Sequence, residues 1–297
     1  MNYVAFEAAQ YPQTAEALAQ LLGDKDMSGL TESIFIQGGT ARSALLEATI
    51  GVIRPVRDLD FAAIGDRVNE DQYNQLRQDL NPDDAQYAVG KIPRAESIAA
   101  LLATNVDFTI NQAVMLLSGK HLVTSDQAIR ACEKRVIQPT AERTDVTKTL
   151  HAEHNADPED IAKLKRFRRN QTGMPARGAY LAAVLKAAGV DFKVDMADHP
   201  MPRDAEDAHT FFLGLMVNKA LMIDEIERGP GDITATQYLF GLYDEMSLTN
   251  GALPTAPEDI VAYCEVVNDE HPQMKFRGSQ IASLVKHTDK EPAPRIV

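Results

Sequence analysis

Apolar positions change their rhythm along the chain, and the change divides it. Residues 1–30 read as two short helices, with Ala15, Leu18, Leu21 and Leu22 at helical spacing. "SIFIQ" then reads as a strand, Gly38-Gly39 breaks it, and Thr40 opens a helix. "RDLDFAAIG" predicts a second strand, followed by a charged helix near Asn69–Leu80 and a mixed stretch around Pro82 and Pro93 with short strands. In "NVDFTINQAVMLLSG", Thr109 and Gln112 stand as a T-x-x-Q capping box before an apolar helix. Ser125 caps a further helix, and "RVIQP" reads as the last strand. After Thr140 helical periodicity takes over, at Pro158–Asn170, Gly178–Ala188, Ala208–Arg228, Ala235–Met246 and Glu258–Asp269.

These patterns predict an α+β head over residues 1–140, counting the N-terminal helical segment, and an all-helical neck and body over 141–286. The tail from 287 to 297, rich in Pro and charge, is expected to be disordered. No repeat with a period of some 20–50 residues is visible.

Composition narrows the class. The chain has 297 residues, 44% hydrophobic and 25% charged, an ordinary balance for a globular protein. No apolar run approaches the ~20 residues that cross a bilayer, and "MNYVAFEAAQYPQ" lacks the basic start and apolar core of a signal peptide. Cys132 and Cys264, far apart, suit buried thiols better than a disulfide framework. A cytoplasmic protein is therefore expected. The net charge of −13 argues against broad, non-specific affinity for nucleic acid. One local exception is Lys163 to Arg169, with five cationic side chains in seven residues.

Candidate chemistry gathers between Phe35 and Gly65. On a strand Asp58 and Asp60 project to one face, while Leu59 and Phe61 turn toward a core. Two carboxylates on one face repel, and a hard divalent cation such as Mg²⁺, bound by oxygen ligands, relieves that repulsion. Gly38 and Gly39 allow backbone N–H groups at a helix N-terminus to approach phosphate, with Arg42 one turn further on. Either pair alone is a common surface or turn feature; the order strand, Gly-Gly, helix, strand, Asp-x-Asp is the specific signal. His151 and His154 have the spacing of a metal pair but no third ligand.

That segment resembles the head of the nucleotidyltransferase superfamily (polymerase beta-like), specifically the class II CCA-adding enzymes and bacterial poly(A) polymerases. Their G-G-x-x-R-D motif is matched by Gly38, Gly39 and Arg42, with Ser43 in place of the Asp, and their D-x-D by Asp58 and Asp60. Their R-R-D-F-T-I-N is matched from Asp107 to Asn111, with Asn105 and Val106 in place of the arginines. Their D-P…R-x-x-R-F helix is matched by Asp157, Pro158, Arg166 and Phe167, with Lys163 for the first arginine. No copy of the base-selecting E-D-x-x-R motif follows Asn170.

The resemblance implies a mixed-sheet head and transfer of NMP from an NTP to an RNA 3′ hydroxyl, with tRNA the expected acceptor. Two Mg²⁺ ions would be held by Asp58 and Asp60. Gly38, Gly39 and Arg42 would bind the triphosphate, and Asp107 and Asn111 would border the nucleotide or order the loop that does. Asp107 as a simple helix cap is the alternative. Lys163 and Arg166 share a helix face with Phe167, with Asp157 as N-cap and Pro158 at N1, and would meet nucleotide or RNA phosphate. Because the base-selecting motif and the paired arginines are absent, the nucleotide added and the mode of ribose selection stay open. Two other functions stay open with them: transfer to a protein or small molecule, and a binding module with an altered head. Nothing in the sequence indicates a membrane partner or fixes an oligomeric state.

Overall fold

The computed structural model describes residues 2–23, 27, 30–31, 33–56, 59–65, 71, 73–74, 94–103, 106–157, 159–199, 207–228, 233–248, 256, 259–260, 262–263 and 265–266, without the side chains of 161–172, 207–212 and 225–228. The chain divides into two units, Met1–Arg143 and Thr144–Val297. The first is a mixed α+β region and the second is more helical.

In the first unit six strands form one sheet in the order β1-β6-β5-β2-β3-β4. They are β1 (Tyr3–Glu7), β2 (Ile34–Gln37), β3 (Asp60–Ile64), β4 (Arg94–Ala95), β5 (Ala113–Leu116) and β6 (His121–Ser125). Neighbours run antiparallel except β3 and β4, which are parallel. Interleaved with them are α1 (Pro12–Leu22), α2 (Gly38–Ile50), α3 (Ile98–Ala103) and α4 (Asp126–Lys134). Alternation along β2 explains the layering. Phe35 packs with Ala62, Val114, Leu101 and Leu102, the last two from α3. Ile34 and Ile36, fully buried, project to the opposite face. Helix α2 is buried over Thr40, Ala41 and Ser43–Glu47, as expected of a helix enclosed on more than one side.

The start of the chain departs from the two expected helices. Tyr3–Glu7 is an edge strand that pairs with β6 from Tyr3↔Ser125 to Glu7↔His121, and a 3₁₀ turn, Ala8–Gln10, leads into α1. The five-residue run fits either period, and the partner offered by β6 decides it. The expected helix after Gln112 is likewise strand β5. Its apolar run is short and is turned back at Gly119 (φ +69°) to pair with β6. Thr109 and Gln112 form no capping box: the Thr109 hydroxyl donates to the Gln138 carbonyl, and Gln112 Nε2 donates to the Leu102 carbonyl. Ser125 does cap α4, accepting from the Ala128 N–H at 3.0 Å. "RVIQP" reduces to a two-residue strand, Val136–Ile137. Of the expected helix at 69–80, Asp71, Tyr73 and Asn74 are helical and the rest lies outside the described residues.

Helix α5 (Ala141–Ala156) occupies chain that the sequence pattern left unassigned, and α6 (Ile161–Ala187) is one continuous helix where two were expected. Asp157 is accordingly in the turn between them, its N–H donating to the Glu153 carbonyl, and does not sit at the start of α6. Pro158, Cys264 and the tail from 287 to 297 lie outside the described residues. Pro175 lies inside α6 and lacks the N–H that would bond four residues back. The second unit is not wholly helical: after Gly189 (φ +82°) the chain extends through Lys193–Val194. Ala176, Ala179 and Ala183 of α6 pack with Leu213, Met216, Val217 and Ala220 of α7 (Asp207–Arg228) and with Leu239, Phe240 and Tyr243 of α8 (Thr234–Glu245). Small alanine faces allow this close approach. Among the described residues no helix is long and apolar enough to cross a membrane.

Each unit contains a buried carboxylate that caps a helix from another helix. Glu47 of α2 accepts from the N–H of Gln13, the N–H of Thr14 and the Thr14 hydroxyl, at 2.7–2.8 Å. Asp224 of α7, fully buried, accepts from the N–H of Ala235, the N–H of Thr236 and the Thr236 hydroxyl, at 2.7–2.9 Å. A negative charge at a helix N-terminus satisfies orphan donors and complements the helix dipole. Glu47→Ala strips three charge-assisted bonds from α1 and is expected to cost about 2–3 kcal/mol. Urea unfolding measures that loss, and faster amide exchange at Gln13 and Thr14 locates it.

Candidate functional site

The register of β2 and β3 creates the site. Gln37, the last residue of β2, pairs with Asp60, the first of β3, so the chain leaves β2 into Gly38 beside the Asp60 side chain. Asp60 is exposed while Leu59 and Phe61 are buried, the alternation expected of this strand. Gly38 has φ +69°, and a Cβ there would collide with Asp60 Oδ2. The absent side chain is thus what admits the carboxylate to the N-terminus of α2. Gly39 differs: its φ is ordinary, and its nearest neighbour in that direction is Arg42 Nη2, 4.0 Å from an ideal Cβ.

Arg42 leans back over that turn, the direction helical side chains take. Its Nη1 donates to Asn111 Oδ1 at 2.7 Å. Asn111 closes a 3₁₀ turn (Thr109–Asn111), its N–H donating to the Phe108 carbonyl. That turn is tied to the following chain: the N–H of Thr109 donates to the Gln138 carbonyl, the N–H of Thr140 to the Asp107 carbonyl, and the Thr140 hydroxyl to the Val106 carbonyl. Asp107 is buried, and the residue at the N-cap of the turn is Phe108, with no side-chain cap. Gly38, Gly39, Arg42, Asp60 and Asn111 therefore meet at one end of the sheet, with Asp107 on the strap that carries Asn111. Asp58 lies outside the described residues. Lys163 and Arg166 are on α6, in the stretch whose side chains are outside the description.

Two contacts escaped sequence reasoning. Ser43 is buried and its hydroxyl donates to the Gly39 carbonyl at 3.0 Å, a local bond that binds the first two turns of α2. Cys132 of α4 is fully buried, as expected of it, and lies close to Thr49 and Arg42 of α2. Burial pushes its thiol up to about 12, against the lowering effects of a Thr49 hydrogen bond and the nearby Arg42 charge. The sequence suggested a buried thiol at Cys132, and that is what stands there, but only tertiary packing brings it near Arg42. Among the described residues no three His, Cys, Asp or Glu side chains gather in a cluster suited to a metal ion.

No protein-family model matches the chain, and no curated protein matches it in sequence.

The two glycines are expected to respond differently to substitution. Gly38→Ala imposes a left-handed conformation on a side chain and drives Asp60 aside, at roughly 1–2 kcal/mol. Gly39→Ala leaves stability unchanged or raises it by up to about 1 kcal/mol, since alanine is the better helix former. Chemical denaturation of the two variants distinguishes them.

Cys132 adds a pH dependence. Its folded value lies above the ordinary 9.0, so the native state keeps a proton that the unfolded chain releases. Its contribution to stability is complete below about pH 9 and declines as the pH rises toward 12. The gap in thermal midpoint between wild type and Cys132→Ala should therefore narrow from pH 8 to pH 10.5.

Proposed function

We propose that the protein is an Mg²⁺-dependent, template-independent nucleotidyltransferase that moves NMP from an NTP to an RNA 3′ hydroxyl, with tRNA the acceptor. The observation that supports this best is the Asp60 carboxylate seated against the bare Cα of Gly38 at the N-terminus of α2, with the Arg42 guanidinium over the adjoining Gly39. The order of motifs in the chain supports it as well, and on this reading the first unit is a head of the polymerase beta-like type.

In the proposed reaction the acceptor oxygen attacks the α-phosphorus, the bond from that phosphorus to the bridging oxygen of the β-phosphate breaks, and pyrophosphate leaves. Asp60 supplies a hard oxygen donor, exposed, in a cradle that a Cβ on Gly38 would fill, and this fits a hard divalent cation. Asp58 completes the donor pair. When bound, the two Mg²⁺ ions supply Lewis acidity to the acceptor hydroxyl and charge neutralisation to the departing pyrophosphate. Backbone N–H groups at Gly38 and Gly39 and the Arg42 guanidinium hold the phosphate chain. Asp107 and Asn111 order the bordering strap, and Lys163 and Arg166 contact nucleotide or RNA phosphate. On this reading the protein works in the cytoplasm.

Incubation with each α-labelled NTP, Mg²⁺ and total tRNA tests the proposal. Wild type should label tRNA, and Asp60→Asn or Asp58→Asn should reduce labelling by roughly a hundredfold or more. Label on a protein or small molecule in a lysate, with none on tRNA, would move the assignment to another acceptor. NTP binding without any transfer would reduce the protein to a nucleotide-binding module.

A further inference from the structure

We infer that Asn111 is a positioning residue that acts through Arg42, and that its side chain sets how firmly the site grips a triphosphate without touching it. The inference rests on the proposed nucleotidyltransferase reading, in which Arg42 binds phosphate.

The geometry is specific. Asn111 presents Oδ1, an acceptor, to Arg42 Nη1 at 2.7 Å, and the contact is partly buried. A long arginine side chain in the first turns of a helix ordinarily samples many rotamers. Here one end of the guanidinium is fixed by Asn111, and Nη2 lies over the Gly39 backbone. The acceptor itself is held: the 3₁₀ turn that carries it is bonded through Asp107, Thr109 and Thr140 to the chain at 138–140. On the other side, Gln112 is anchored by the Leu102 carbonyl and by the Ser125 hydroxyl, which donates to Oε1. A neutral amide suits this task. It orients the cation without adding a counter-charge, whereas a carboxylate would orient it and add one.

The test measures binding of inorganic tripolyphosphate and of ATP by calorimetry, beside thermal stability, for wild type, Asn111→Ala, Asn111→Asp, Arg42→Ala and the Arg42→Ala/Asn111→Ala pair. Asn111→Ala should weaken tripolyphosphate binding about tenfold, and in the Arg42→Ala background it should add no further loss. Asn111→Asp should keep or raise thermal stability through its ion pair yet bind tripolyphosphate more weakly than Asn111→Ala. A merely structural asparagine would make stability and affinity move together. Full additivity of the two alanine substitutions, or unchanged affinity in Asn111→Ala while Arg42→Ala loses it, overturns the inference. Binding by wild type that is indifferent to Arg42→Ala overturns it too, by removing Arg42 from the phosphate. Absence of tripolyphosphate and ATP binding in wild type instead defeats the nucleotidyltransferase reading on which the inference stands.

Discussion

In an antiparallel pair the exit of one strand lies beside the entrance of the other, and the pairing of Gln37 with Asp60 puts that rule to use. The chain leaves β2 and immediately starts a helix, so the N-terminus of α2, its glycine and the Asp60 carboxylate occupy one corner. A shift of register by one residue would turn Asp60 to the opposite face and bring Leu59 or Phe61 to the helix terminus. That register is held by the buried Ile34–Ile36 and Phe61–Ala63, which leave no polar alternative. The core thus specifies the position of an exposed charge.

Both units solve the problem of exposed helix ends in the same way. Where no local side chain caps α1 or α8, a carboxylate from a neighbouring helix does so from within the core. Such a carboxylate belongs to two elements at once, since it is buried by the packing of its own helix and satisfied by the donors of another. Secondary structure and tertiary packing are therefore coupled through single residues, and neither helix keeps its cap if the pair separates. At Arg42 and Asn111 the same logic appears with a neutral amide as the tie.

How much of this the sequence disclosed depended on the range of the interaction. Strand β2, helix α2, strand β3 and the Ser125 cap follow from local periodicity and cap chemistry, and all were legible. The alternation that exposes Asp60 and buries Leu59 and Phe61 was legible for the same reason. Tyr3–Glu7 and Ala113–Leu116 were misread because four or five apolar residues fit either a helix or a strand, and the partner that decides, β6, is a separate stretch of chain. The tie between Arg42 and Asn111 spans sixty-nine positions, and no local pattern announces it. Asp224 did leave a trace: it falls in step with Leu213, Val217 and Ala220 on the apolar stripe of α7, where a carboxylate demands a partner.

The sheet's outer border carries one further consequence. The Ala8 N–H donates to the Lys120 carbonyl and the Asn2 carbonyl accepts from Asp126, so even-numbered residues of this stretch face β6 and the Glu7 N–H points away. Gln10 Oε1 accepts that N–H at 3.0 Å. A foreign strand laid along β1 would have to displace this glutamine, and would meet the charge of Glu7 beside His121 as it did so. One amide side chain folded back from the next turn thus withholds a rung of the ladder from any other chain, a guard against sheet growth at high concentration.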